Sequence, residues 1–169
     1  LTFDRALAIG NYSGLLRELV VRMKNQHDEV LAIQFGIRLG YELLGQGWTD
    51  YDFLVPVPLH WSRRLKRGFQ ATDLLSEQIA RVTGIRKCEK ILKAVRATQK
   101  QGMLSFPARI ANVRNAYAVQ TQSAVKRRRV LLIDDVLTTG ATTSELARIL
   151  KANGAAEVNV AVVARGGLK

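Results

Sequence analysis

VLLIDDVLTTGAT (130–142) is the stretch on which the fold turns. Its first four residues form an unbroken apolar run, the pattern of a strand buried on both faces. The run is expected to stop at Asp134 and Asp135. A short Thr/Gly loop follows, and SELARILKAN (144–153) then sets Leu146, Ile149 and Leu150 on one helical face. Thr142 and Glu145 have the spacing of a capping box, and Gly154 stands where a C-terminal cap falls. VNVAVV (158–163) reads as another strand. Strand, helix, strand in this order predicts a right-handed βαβ unit and a parallel sheet.

Open parallel sheets bind ligands beyond the carboxyl ends of their strands. Asp134, Asp135 and the loop Leu137, Thr138, Thr139, Gly140, Ala141 and Thr142 lie at such an end. Small residues and Gly140 let backbone N–H groups converge, the following helix points its positive end at them, and the threonine hydroxyls add donors. These are the parts of a phosphate cradle. Two adjacent carboxylates would repel a phosphate. They make sense beside it if they take hydroxyl groups, or a divalent cation that bridges to phosphate oxygens. The expected ligand is a phosphorylated sugar with free hydroxyls, together with Mg²⁺. Neither GxxxxGK[ST] nor GxGxxG occurs, so the loop is not that of a nucleoside triphosphatase or a dinucleotide fold.

Outward from this unit, FLVPV (53–57) reads as a short buried strand ended by its prolines, and TDLLSEQIARV (72–82) as a helix stopped by Gly84. Leu15, Leu16, Leu19, Val20 and Met23 recur at helical spacing. Residues 30–45 fit both an alternating and a helical pattern; their length favours helix. Short strands are expected at 91–95 and 117–119, with a basic loop over 96–116 between them.

The chain of 169 residues is 47% hydrophobic and 24% charged, which suits one compact domain with a real core. No run of 18 apolar residues occurs, so no membrane span is expected. LTFDRALAIG (1–10) lacks the pattern of a secretion signal, and a start at Leu1 fits a fragment or a processed form. The lone Cys88 can form neither an internal disulfide nor a cysteine-rich zinc site, which points to a reducing, cytoplasmic setting. Net charge is +12, from 26 basic and 14 acidic residues. The segment 90–133 holds ten basic residues and no acidic one. Such a bias favours polyanionic partners: a phosphorylated small molecule, nucleic acid or an acidic surface. Lys126, Arg127, Arg128 and Arg129 precede the 130–133 strand, on the order of 15 Å from Asp134, so they read as a solvated turn or a nucleic-acid contact. Arg63, Arg64, Lys66 and Arg67 follow the carboxyl end of the 53–57 strand, on the same sheet edge as the phosphate loop, and read as a pyrophosphate contact or an exposed basic turn. His27, His60, Trp48 and Trp61 form no evident series, and no residue must act as a covalent nucleophile.

The 130–142 string resembles the thirteen-residue signature of type I phosphoribosyltransferases. VPVPLHWSRRLKRGF (55–69), RATQKQGMLSFPARIANVRNAY (96–117) and VAVVAR (160–165) narrow the likeness to the ComF/GntX branch. The resemblance implies an α/β fold, a central, mostly parallel sheet flanked by helices, with residues 1–50 as an N-terminal helical hood over a core of 51–169. It implies that the loop holds the 5-phosphate of phosphoribosyl pyrophosphate (PRPP) and that Asp134 and Asp135 read the ribose within a Mg²⁺ shell. Pro58, Leu59, His60 and Arg67 would face the pyrophosphate, and Arg96, Lys100 and Gln101 would belong to a mobile lid. It further implies transfer to a nitrogen acceptor with pyrophosphate release, linked to DNA uptake in natural competence. Single-stranded DNA, competence proteins or a second copy of the chain are then the macromolecular partners to consider. An accessory module that senses PRPP or binds DNA without turnover is the alternative. Two departures stand out: RGFQAT (67–72) replaces the branch's usual RGFNQ, and no paired cysteines supply a zinc ribbon.

Overall fold

The computed structural model describes residues 1–59, 70–99 and 105–166. Its centre is β5 (Arg129–Leu137), in which Val130, Leu131, Leu132 and Ile133 are fully buried. The apolar run forms a strand because both of its faces are covered. On one side β5 pairs in parallel with β2 (Phe53–Pro56), and on the other with β6 (Glu157–Arg165). β6 in turn pairs in parallel with β1 (Ala6–Asn11), so the sheet order is β1-β6-β5-β2. Residues 86–88 extend the sheet beyond β2: Leu54 N donates to Arg86 O at 2.9 Å, and Cys88 N donates to Leu54 O at 2.8 Å.

Successive strand residues point to opposite faces, and each set has its own helical cover. Leu54, Leu131, Ile133, Ala161 and Val163 pack with α1 (Gly14–Asn25), α2 (Glu29–Gly45) and α3 (Ala71–Thr83), through Met23, Leu39, Leu43, Leu75 and Ile79. Val55, Leu132, Val158, Val160 and Val162 pack on the other face with Leu146 and Leu150 of α6 (Ala141–Ala152). Burying all five of those residues contributes on the order of 10 kcal/mol relative to leaving them exposed.

The ambiguous 30–45 stretch is helical, capped by Asp28, whose side chain accepts from Leu31 N at 3.0 Å. Ala32, Gly36, Leu39, Gly40 and Leu43 form its buried stripe, while Tyr41, part of the alternating pattern, is exposed. The glycines bring α2 close to α3: a Cβ on Gly36 would lie 2.8 Å from Gln78 Cβ and 2.9 Å from Leu75 O.

Four expectations meet a different structure. The first fifty residues are not helical throughout, because β1 lies in the central sheet. Its backbone hydrogen bonds are made by parallel pairing with β6, Ala6↔Val160 through Asn11↔Arg165, as the edge strand of the sheet. Nor does β5 stop at the acids: it continues through them to Leu137 because β6 goes on pairing as far as Arg165. The capping box is not formed, since Gly140 is the N-cap of α6 and Glu145 pairs with Arg148 instead. Finally, residues 96–116 are not a continuous loop but include α4 (Phe106–Val113). Pro107 there occupies the first turn, where proline's missing N–H costs nothing.

The short strands β3 (Leu92–Ala94) and β4 (Tyr117–Val119) pair antiparallel below α6, and a single turn, α5 (Gln122–Val125), leads back into β5. Among the described residues no helix is long and apolar enough to cross a membrane.

Candidate functional site

Among the described residues, the carboxyl end of β5 is paired on one side only. Pairing with β2 ends at Pro56↔Ile133 and a last bond from Val57 N to Ile133 O at 2.9 Å, while pairing with β6 continues to Leu137. The acidic pair lies on the stretch beyond that last β2 bond. Asp134 Oδ1 accepts the backbone N–H of Asp135 at 2.8 Å. Asp135 Oδ1 meets the Nζ of Lys24 at 2.8 Å.

Lys24 comes from the last turn of α1 and is the cation that sequence reasoning missed. Helical spacing shows which of its neighbours face the core, but no linear pattern shows that α1 ends over the end of β5. Burial pushes the Asp134 carboxyl well above the ordinary carboxylate range, and the negative charge of Asp135 adds to it; Lys24 opposes both. Burial also works against the charge on Lys24. The Asp135 carboxylate outweighs it, helped by Asp134 and Tyr12, so the ammonium is held above the ordinary lysine value.

At the end of β5, Asp134, Val136, Leu137, Thr138, Gly140, Ala141, Thr142 and Thr143 line a small open cavity of about 20 Å³. That is room for about one water-sized group. Gly140 turns the chain there with φ 71°, a left-handed conformation that glycine adopts without strain. Thr143 Oγ1 donates to Gly140 O at 3.2 Å, and Ala141 N donates to Thr139 Oγ1 at 3.4 Å, so two hydroxyls brace the turn. The first turn of α6 carries no acidic residue, so its positive end is left to an anion. The predicted phosphate loop and Asp134 thus share one small cavity, while Asp135 is engaged by Lys24. On the other side of Gly140, a cleft of about 550 Å³ separates α4 from α6 and is lined by Ile110, Val113, Arg114, Thr139, Ser144 and Arg148, among others.

The remaining predicted residues are distributed differently. Pro58 and Leu59 follow β2, half-buried, at the same end of the sheet. His60, Arg63, Arg64, Lys66, Arg67, Lys100 and Gln101 lie outside the described residues. Arg96 does not reach towards the acidic pair. Its guanidinium donates to Asn112 O at 2.8 Å and Arg114 O at 3.0 Å, closing the chain that runs from β3 through α4 to β4. At the far end of β5, Arg128 pairs with Asp52 at 2.7 Å, and Arg129 pairs with Glu157 at 2.7 Å and with Asp50. Half of the 126–129 cluster is therefore neutralised within the fold.

Mg²⁺ fits this site only as a cation shared with ligand oxygens. Among the described residues no three or more His, Cys, Asp or Glu side chains gather as a metal site, whereas Mg²⁺ commonly uses one or two carboxylates plus phosphate oxygens and water. Asp135 is already paired with Lys24, so the pair is a poor direct shell and a bound Mg²⁺ would rest chiefly on ligand oxygens.

The profile of the phosphoribosyl transferase domain matches residues 65–169. The chain belongs to that family. It is 33% identical over 174 aligned residues to competence protein F of Haemophilus influenzae, covering 97% of this chain and 74% of that protein. To the DNA utilization protein YhgH of Salmonella typhimurium it is 34% identical over 163 residues, covering 94% and 70%. Among solved structures, the glutamine PRPP amidotransferase of B. subtilis superposes with a TM-score of 0.53 at 20% identity, covering 78% of this chain and 25% of that one. This likeness concerns the fold: the α/β architecture, with its four-stranded parallel sheet between helices, is that of a type I phosphoribosyltransferase. The resemblance carried by residues 130–142 therefore holds for the family, and the two relatives bear out its competence-protein branch.

Proposed function

We propose that this chain binds PRPP and transfers its phosphoribosyl group to a nitrogen acceptor with release of pyrophosphate, in a process that serves DNA uptake or utilization. One observation carries the binding half: the strand that bears Asp134 runs on into a turn at Gly140, which opens a helix with no acidic residue in its first turn. The names of the two relatives support the biological setting.

In this reading, main-chain amides at the start of α6 hold the 5-phosphate, which fixes the sugar at one end. Asp134 and Asp135 accept hydrogen bonds from the ribose hydroxyls and orient C1 away from the loop. Fixing both ends lowers the entropic cost of bringing C1 against an acceptor. The bond from C1 to pyrophosphate then loosens towards an oxocarbenium-like state, and the acceptor nitrogen attacks C1. Mg²⁺, when bound, supplies positive charge to the pyrophosphate oxygens. Pro58, Leu59, His60 and Arg67 are proposed to face the pyrophosphate, and the chain around Lys100 and Gln101 to exclude water. The helices of residues 1–50 are proposed to bound the acceptor pocket.

The test is calorimetric titration with PRPP in the presence of Mg²⁺, followed by a pyrophosphate-release assay across purine, pyrimidine and nicotinic acceptors. Binding with release supports transfer. Binding with no release under any acceptor replaces transfer by PRPP sensing. Absence of binding overturns the assignment.

A further inference from the structure

We propose that Lys24 is a positioning residue that stands in for a divalent cation at the carboxylate pair, so that Asp134 and Asp135 hold the hydroxyls of a ribose phosphate without Mg²⁺ at that point. This rests on the sugar-phosphate reading of the site and assigns the source of its positive charge.

The first support is geometric. Lys24 Nζ lies 2.8 Å from Asp135 Oδ1, with side-chain exposures of 33% and 15%, so the contact is largely shielded from water. The second is how the lysine is held. Val20 and Met23, both fully buried, fix the last turns of α1 against the sheet, and the Lys24 backbone moves only if that packing moves. This is a built contact, unlike the exposed Arg81–Glu77 pair at 3.3 Å, whose side chains are 68% and 42% exposed.

The third support is the donor set. Two adjacent acids repel each other as anions, and the positive partner that the fold supplies is Lys24, on Asp135. Asp134 Oδ1 already accepts the Asp135 N–H, which leaves fewer oxygens for a metal. An ammonium at hydrogen-bond distance repels an incoming divalent cation at close range. Mg²⁺ also demands near-ideal octahedral geometry and gives up water reluctantly. An ammonium demands neither: it offers three donors, and after one is given to Asp135 two remain for hydroxyl oxygens of the sugar.

Ribose 5-phosphate is the probe, because it lacks the pyrophosphate that would recruit Mg²⁺ by itself. It is titrated calorimetrically into the full chain in EDTA and again in millimolar Mg²⁺. The expected wild-type affinities agree within about twofold. Lys24→Met is expected to weaken binding at least about tenfold in EDTA and to regain most of it in Mg²⁺, because the metal can then enter. Lys24→Arg is expected to retain metal-independent binding. Circular dichroism reports folding of each variant, and Lys24→Gln replaces Lys24→Met if the latter does not fold. The proposal is overturned if Mg²⁺ strengthens wild-type binding more than about tenfold, or if Lys24→Met binds like wild type in EDTA. If wild type binds neither ribose 5-phosphate nor PRPP with or without Mg²⁺, the sugar-phosphate assignment itself fails and this proposal with it. The wild-type titrations separate those two failures without any variant.

Discussion

Glu145, in the second turn of α6, accepts the backbone N–H of Asn115 at 3.0 Å across 30 residues of chain. Asn115 is held at φ 55°, between α4 and β4. The same carboxylate takes two hydrogen bonds from Arg148, each at 2.8 Å, and is nearly buried. A helix that begins at the proposed phosphate loop is thereby tied to the segment that follows α4.

Replacing Glu145 by Gln keeps the shape and removes the charge. The expected cost is about 1–3 kcal/mol, since a charge-assisted bond is lost near the interior. The hydrogen bond and charge of Arg148 hold the Glu145 carboxyl below the ordinary glutamate range, aided by the Asn115 N–H. A folded-state value below the unfolded one means that the stabilisation is complete above the unfolded value. It is lost as pH falls through the folded value. Urea denaturation should therefore give a constant difference between wild type and Glu145→Gln from about pH 8 to pH 5, shrinking below about pH 4. A difference that grew on acidification would contradict the ion pair.

Gly36 sits where α2 meets α3, and the nearest atoms to an added Cβ include the backbone oxygen of Leu75 at 2.9 Å. A backbone atom cannot swing aside as a side chain can. Gly36→Ala should destabilise by about 1–3 kcal/mol despite alanine's better helix propensity. Gly45, at the end of the same helix with nothing within 4 Å, is the control: Gly45→Ala should leave the melting temperature close to wild type.

Gly140 tests the proposed phosphate loop separately from the acids. Its φ of 71° strains any residue with a Cβ, so Gly140→Ala should cost about 1 kcal/mol and distort the turn that lines the small cavity. Asparagine tolerates the left-handed region better than alanine does. Affinity for ribose 5-phosphate should therefore fall in the order wild type, Gly140→Asn, Gly140→Ala. Equal affinities in all three would separate the anion from this turn.

The sheet and the loop were legible because their signals are local. Val130–Ile133 could be read as a buried strand from four adjacent residues, and Gly140 marks its own turn. β1 was harder: Ala6–Asn11 is partly exposed and lies at the sheet edge, so its pattern is diluted, and only its parallel pairing with β6 makes it a strand. Lys24 was invisible for a different reason. Its partner lies more than one hundred positions away, and basic residues in the last turn of a helix are favoured for local reasons as well. Arg96 shows the converse, since the family resemblance implied a place in a mobile lid, whereas here it satisfies two backbone carbonyls of its own neighbourhood.

Asp134 and Asp135 are adjacent but should respond differently to the same substitution. Asp134 uses one oxygen to accept the Asp135 N–H, and an amide oxygen can do that as well. Asp134→Asn should therefore change stability by less than about 1 kcal/mol. Asp135 instead answers the Lys24 ammonium at 2.8 Å in a shielded position, where an amide returns a hydrogen bond but no charge. Asp135→Asn should cost about 1–3 kcal/mol while the far-ultraviolet circular dichroism stays that of the wild type. Both variants remove a carboxylate proposed to accept ribose hydroxyls, so both should weaken PRPP at least about tenfold in calorimetry. Stability separates the two and binding unites them. If Asp135→Asn kept both full stability and full PRPP affinity, neither the ion pair nor the proposed ribose contact would stand.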